Sequence, residues 1–250
     1  MWDKPAALGM LADLLVVASL LGLLYGGVLF AVRSPVFLIT DVRVMSSPAH
    51  VTREQIEEIV RREVRGTFFT QKLGQARSAF ETLPWVRRAD IRRRWPGALD
   101  ITLVEHQPLA RWGKTALVNS HGEVFSAAYD GTLPLFNGPA DAAKEMAIQY
   151  DHFRRNLAVI GRVPDQINMS PRRAWQIRLD DGMTLDLGRE RIEERLRRFV
   201  AAHSLTIARL GRRVEHVDLR YANGFAAQVP GFTPAASTRP GRGVQGQREP

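Results

Sequence analysis

Cysteine is absent from the chain. Its absence excludes a disulfide framework, a thiolate zinc site and a cysteine nucleophile. Lysine is scarce: Lys4, Lys72, Lys114 and Lys144 are the only four among 35 basic residues. The formal charge of +9 is therefore carried by arginine. A basic balance favours anionic partners, whether lipid headgroups, nucleic acid or acidic protein patches. It does not choose among them, and codon usage in a GC-rich genome accounts for arginine over lysine equally well.

Catalytic spacing is missing too. The sequence has no H-E-x-x-H, no G-x-S-x-G and no Walker loop, and its six histidines show no ligand spacing. Glu105-His106 and Glu215-His216 are adjacent on extended segments, so their side chains point to opposite faces and make no acid–base couple. Gly241-Arg-Gly-Val-Gln-Gly246 matches a dinucleotide fingerprint letter for letter, but it follows no strand and opens no helix. Strand alternation separates Arg93 from Arg92 and Arg94, so that run implies no contiguous phosphate-binding patch. These readings predict no enzyme, no cofactor, no metal and no nucleic-acid partner.

What is present starts with an apolar run from 10 to 32 that ends just before Arg33. About 20 apolar residues in a helix cross a bilayer core of ~30 Å, so the run spans it once. It is longer than the ~7–15 residues of a signal-peptide core, and no small-x-small cleavage site follows. Asp13, the single charge inside, lies within a turn of the start, where it reaches the interface. Lys4 is offset by Asp3 while Arg33 and Arg43 follow the run, so loop charge alone sets no orientation.

Beyond the anchor, 37–44 alternates as a strand. Thr52 and Gln55 have capping-box spacing, and Ile56, Ile59, Val60 and Val64 follow at helical spacing until Gly66. Leu73, Ala76, Phe80 and Leu83 share a face of a second helix, closed by Pro84. Two strands follow, with Ala89, Ile91, Arg93 and Trp95 on one face of the first and Leu99, Ile101 and Leu103 on one face of the second. A further hairpin is expected across 116–125. A Pro/Gly/Asp stretch at 134–141 reads as a boundary. After it come a helix burying Ala142, Met146, Tyr150, Phe153 and Leu157, a strand pair across 174–187, a helix across 190–203, and a last extended segment through Val217, Leu219 and Tyr221, resumed at 225–229. Trp85, Trp95, Trp112 and Trp175 are expected to pack inside. The composition after Pro230 predicts disorder.

Three blocks carry a resemblance. The first runs Gly66-Thr-Phe-Phe-Thr70, Leu83-Pro-Trp-Val86, Ile91-Arg-Arg-Arg-Trp-Pro96 and Val104-Glu-His-Gln-Pro-Leu-Ala-Arg-Trp112. The second is Ser170-Pro-Arg-Arg-Ala-Trp-Gln176 with Leu185-Asp-Leu-Gly-Arg189 and Arg195-Leu-Arg-Arg-Phe-Val200. The third is Val217-Asp-Leu-Arg-Tyr-Ala-Asn-Gly224. In this order behind one amino-terminal anchor they resemble the FtsQ/DivIB family of bacterial cell division proteins.

The resemblance implies an α+β protein: a cytoplasmic tail (1–9), a transmembrane helix (10–32), a POTRA domain of β-α-α-β-β order (35–112), a second β-rich domain with flanking helices (113–229) and a disordered tail (230–250). It implies a single-pass inner-membrane protein at the division septum, amino terminus cytoplasmic and bulk periplasmic. It further implies a non-enzymatic divisome scaffold that binds FtsB and FtsL by β-strand addition and helps control septal peptidoglycan synthesis, with the septal synthase a further partner. The implied partner-binding residues are Arg172, Arg220, Tyr221, Asn223, Gly224 and Phe225. Tyr221 would pack on the incoming chain, Asn223 and Gly224 would let backbones approach, and Arg172 and Arg220 would pair with acidic side chains. Phe225 stands where the family has a small residue. Asn223-Gly224 is also a tight-turn dipeptide, the reading the residues alone favour. The alternatives are a POTRA protein of outer-membrane translocation, which needs a carboxyl-terminal barrel, and a basic nucleic-acid-binding protein, which needs a cytoplasmic location.

Overall fold

A computed structural model describes residues 5–221 and 224–231. The first helix, α1 (Pro5–Val32), takes in the expected apolar run. Among the described residues its Gly9–Val32 stretch is the one helix long and apolar enough to cross a membrane, and none of it is buried by the protein. Its 24 residues rise ~36 Å, slightly more than a ~30 Å hydrocarbon core. The rest of the chain forms two compact units. One runs to Pro108 and takes in Phe125–Asp130; the other holds Leu109–Val124 and the chain from Gly131.

The first unit contains β1 (Asp41–Val44), α2 (Arg53–Glu63), α3 (Leu73–Glu81), β2 (Val86–Arg94) and β3 (Ala98–Glu105), the β-α-α-β-β order expected. The strand β3 is central, parallel to β1 and antiparallel to β2. Its alternation explains this place, because Leu99, Ile101 and Leu103 are all buried. The capping box opens α2: Thr52 Oγ1 accepts from the Gln55 N–H, and the Gln55 side chain accepts from the Thr52 N–H. Ala76 and Phe80 of α3 complete the core with no exposure.

Two expectations fail here. The strand predicted at 37–44 forms only in its second half, because Pro35–Phe37 is a 3-10 turn. Its backbone bonds go to another loop: Phe68 N–H donates to Phe37 O at 2.7 Å, and Leu38 bridges Thr67. Trp95, expected inside, is 64% exposed. The ladder of β2 ends at Arg94, so the alternation that buries Ala89 and Ile91 does not reach it. Arg93, two residues before Trp95, is exposed and donates from its guanidinium to Gln71 O at 2.7 Å.

Glu105, at the end of β3, holds the chain entering α2. Its carboxylate accepts the backbone N–H groups of Ala49, His50 and Val51 at 3.0, 2.9 and 3.1 Å, and the His50 ring at 3.2 Å. The same His50 ring stacks on Trp85 at 3.8 Å. Burial by itself would raise the Glu105 pKa. The hydrogen bonds from His50 and Ala49 outweigh it and hold the carboxyl below its usual value.

The second unit is built on β4 (Pro108–Trp112), β5 (Ala116–Asn119), β6 (Val124–Phe125), β7 (Leu135–Asn137), α4 (Ala143–Ala158), β8 (Pro164–Met169), β9 (Trp175–Leu179), β10 (Thr184–Gly188), α5 (Ile192–His203), β11 (His216–Asp218) and β12 (Ala226–Gln228). The strands form one sheet in the order β12-β11-β10-β9-β8-β7-β4-β5-β6. Met146, Phe153 and Leu157 of α4 and Leu196 and Phe199 of α5 cover one face, closing on Ile167, Ile177, Leu185 and Val217. The 134–141 stretch is no boundary. It carries β7, an interior strand whose Phe136 has no exposure. A short strand flanked by turn residues gives a linker-like sequence while its one inward side chain is core.

The other face of this sheet carries a hydrogen-bonded row across five strands. Asn137 donates to Asn168 at 3.1 Å, Asn168 to Gln176 at 3.1 Å and Gln176 to Asp186 at 2.8 Å. His216 meets the second Asp186 oxygen at 3.2 Å. A carboxylate only accepts, so Asp186 sets the direction in which every amide donates.

Two outcomes test this packing. Glu105→Ala should lower the stability of the first unit by ~2–3 kcal/mol at neutral pH, as bonds to a charged acceptor are lost. Because the folded pKa of Glu105 is depressed, its contribution is full above the ordinary carboxylate pKa and disappears as pH falls through the folded value. Thermal unfolding of wild type and variant in detergent should therefore converge at acid pH. Gly122, at φ +77°, lies where a Cβ would be 2.3 Å from Lys144 Cα. Gly122→Ala should destabilise the second unit by more than ~1 kcal/mol in the same measurement.

Candidate partner-binding edge

The nine-stranded sheet ends on β12. This strand pairs antiparallel with β11, Ala227 opposite Val217, and β11 pairs parallel with β10. Among the described residues no strand lies beyond β12. Ala226, Ala227 and Gln228 are all exposed, and none is charged. An edge strand offers backbone donors and acceptors to another chain unless charge, proline or a covering element blunts it. Among the described residues only the shortness of β12 does so.

The expected site residues fall into three groups. Tyr221 is 58% exposed, after β11, and Arg172 is exposed in the turn between β8 and β9. Gly224 has open space where a Cβ would stand. Tyr221 and Arg172 present themselves to solvent, and half-buried Gly224 leaves room beside the strand. Phe225 faces its own core instead: its ring meets Phe199 of α5 edge-on at 5.9 Å and supports the entry to β12 from behind. Asn223 lies outside the described residues.

Arg220 has an internal partner. Its guanidinium binds Asp218 through Nη2 at 2.6 Å and Nε at 2.9 Å, and its backbone N–H donates to the same carboxylate at 2.9 Å. The Arg220 side-chain bond lowers the Asp218 pKa, against burial that would raise it, and Asp218 in turn raises that of Arg220. An acidic partner side chain reaching Arg220 thus competes with a bond already made. The signal was in the spacing: Arg220 stands two residues past Asp218, the last residue of β11, near enough for one carboxylate to accept both its backbone N–H and its guanidinium.

The turn that carries Arg172 is pinned by its neighbour. Arg173, in the left-handed region at φ 61°, binds Asp141 and, at 2.7 Å, Glu145. Of the two arginines, one is spent holding the loop on the helical layer and the other is presented outward. Between this turn and Arg220 lies an open cavity of about 580 Å³, lined by Asn168, Gln176 and Asp186 of the polar row. Among the described residues no group of three His, Asp or Glu side chains converges to hold a metal.

Comparison with known proteins identifies both units. Residues 37–106 match the family model "POTRA domain, FtsQ-type", and residues 110–220 match "Cell division protein FtsQ/DivIB, C-terminal". Proteins named Cell division protein FtsQ are similar along nearly the whole chain. That of Nitrosospira multiformis is 44% identical over 233 residues, covering 91% of this chain and 99% of its own. That of Burkholderia pseudomallei is 38% identical over 97% of this chain and 100% of its own. That of Bordetella pertussis is 32% identical over 94% and 95%. With a single apolar amino-terminal helix that fits a membrane anchor, a POTRA unit and a β-rich unit in that order, the chain belongs to the FtsQ/DivIB family of cell division proteins.

Proposed function

We propose that the protein is a divisome scaffold that captures the periplasmic segments of FtsB and FtsL by adding a strand of FtsB to β12. The observation that carries this reading is the uncharged terminal strand Ala226–Gln228, exposed along its length and flanked by Tyr221 and Gly224. In strand addition the backbone supplies much of the affinity, and neighbouring side chains supply choice. Tyr221 offers the apolar contact. Arg172 offers the charge for an acidic partner residue, since Arg220 is tied to Asp218.

The cellular frame belongs to the same proposal. The helix α1 crosses the inner membrane with the amino terminus in the cytoplasm, both units lie in the periplasm, and capture of FtsB and FtsL brings the septal synthase under control. The scaffold performs no chemistry. The tail from 232 onward lies outside the described residues and has no part in it.

Binding of the detergent-solubilised chain to the periplasmic FtsB–FtsL pair tests the site. Tyr221→Ala combined with Gly224→Asp should weaken binding at least about tenfold, which is ~1.4 kcal/mol. Tyr221 is exposed and Gly224 has open space for a side chain, so circular dichroism should show the variant folded. Unchanged affinity in a folded variant would remove β12 as the interface. Arg172→Glu should weaken binding with a steeper loss at low salt than at high salt, as screening removes the repulsion it introduces.

A further inference from the structure

The loop Gly66-Thr-Phe-Phe-Thr70 of the first unit grips the end of the apolar helix. Thr67 Oγ1 donates to Val32 O at 2.7 Å, supplying one of the carbonyls that a helix end leaves without an internal donor. Thr67 is itself buried and bonded to Thr70. Phe68 N–H then donates to Phe37 O, and the chain leaving α1 passes so close to the β2–β3 turn that a Cβ on Gly97 would lie 2.6 Å from Leu38 O. The POTRA unit is therefore tied to the helix end by direct bonds.

At that junction stands an aromatic cluster. Phe37 lies 5.2 Å from Phe69 and 5.8 Å from Trp95, and Phe68 lies 5.3 Å from Phe69 and 5.5 Å from Trp95. The cluster is open rather than buried. Trp95 is 64% exposed, Phe69 46%, Leu38 46% and Val36 80%. In water such a contiguous apolar patch is costly and marks a contact surface. Its position says which. The 24-residue span is slightly longer than the hydrocarbon core, so Val32 ends at its boundary, and the polar interface beyond is about 5–8 Å deep. Groups one hydrogen bond from Val32 lie in that layer. Tryptophan is enriched there, where its ring is half apolar and its N–H is wet. Arg33 follows the helix end and is exposed, placed to reach phosphate oxygens.

We infer that Val36, Leu38, Phe69 and Trp95 form a lipid-contacting foot, which seats the POTRA unit on the bilayer that α1 crosses. The partner is the lipid interface of that same bilayer. The inference rests on α1 being a membrane span. The foot gives physical content to two sequence blocks, 66–70 and 91–96, that strand addition does not use. It also fixes how the first unit meets the bilayer, because the helix bond and the aromatic contact together leave it little freedom to tilt.

The chain has no cysteine, so one introduced cysteine is a unique labelling site. The full chain is reconstituted in vesicles of phosphatidylcholine and phosphatidylglycerol, with no other protein, carrying an environment-sensitive fluorophore at Phe69→Cys or, as reference, at Leu20→Cys. The label at 20 should be quenched most by nitroxides deep in the acyl chain. The label at 69 should emit blue-shifted and lose most of its emission to nitroxides at the headgroup. In parallel, quenching of intrinsic fluorescence by brominated lipid should be smaller in Trp95→Phe than in wild type, which checks the foot with its ring packing kept. A water-like signal at 69, with brominated-lipid quenching equal in Trp95→Phe and wild type and a deep signal at 20, overturns the foot alone. A water-like signal at both positions overturns the membrane-span reading and the foot with it.

Discussion

An open sheet has to end, and its last strand presents backbone groups to whatever lies beyond. The sheet of the β-rich unit ends on three uncharged residues, Ala226–Gln228, and among the described residues no helix or further strand lies over them. Several contacts of that unit hold this strand in place. The α5 helix sends Phe199 under Phe225, β11 is locked between β10 and β12, and Asp218 fixes Arg220 beside the strand. The polar row from Asn137 to His216 ties five strands together on the face that the helices leave uncovered. A rigid edge costs an incoming chain less ordering than a mobile one, since only the ligand has to give up its freedom.

The first unit solves a different constraint, that of meeting a membrane helix without leaving its end unsatisfied. Thr67 supplies a donor to Val32, and Glu105 supplies an acceptor to three consecutive backbone amides before α2. Both are single side chains that fix a chain entry, so each ties local backbone geometry to a contact distant in sequence. Charge enters at both sites as a hydrogen-bond partner or a surface feature. Many arginines are held in ion pairs such as Arg53–Glu57, Arg178–Asp165 and Arg173–Glu145, which leave the net charge of +9 unchanged. Exposed pairs of this kind contribute only ~0–1 kcal/mol each.

Periodicity made the POTRA unit legible. Ile56 and Ile59, Ala76 and Phe80, and Leu99, Ile101 and Leu103 repeat at helix or strand spacing, and they are the residues buried. Thr52 and Gln55 announced the α2 start and form the expected box. Short strands were the hard cases. The β7 strand has one buried ring between turn residues, and β8 (Pro164–Met169) starts on a proline, so neither carries a long alternating run. Trp95 misled because tryptophan usually marks a core, whereas its environment is set by a ladder that stops one residue earlier. At the edge, sequence spacing pairs Asp218 with Arg220, but only the fold turns Phe225 inward and leaves Tyr221 outward. The block resemblance pointed to the family because order and spacing survive where single motifs are ambiguous, as with Asn223-Gly224.

Amide hydrogen exchange of the full chain, free and with the periplasmic FtsB–FtsL pair, addresses strand addition at the level of the backbone itself. Strand addition predicts that the amides of 226–228 that point away from β11 exchange quickly in the free chain and become protected on binding, with the protection confined to this edge and the Arg172 turn. Binding that leaves 226–228 as exposed to exchange as before, with protection elsewhere, would contradict it.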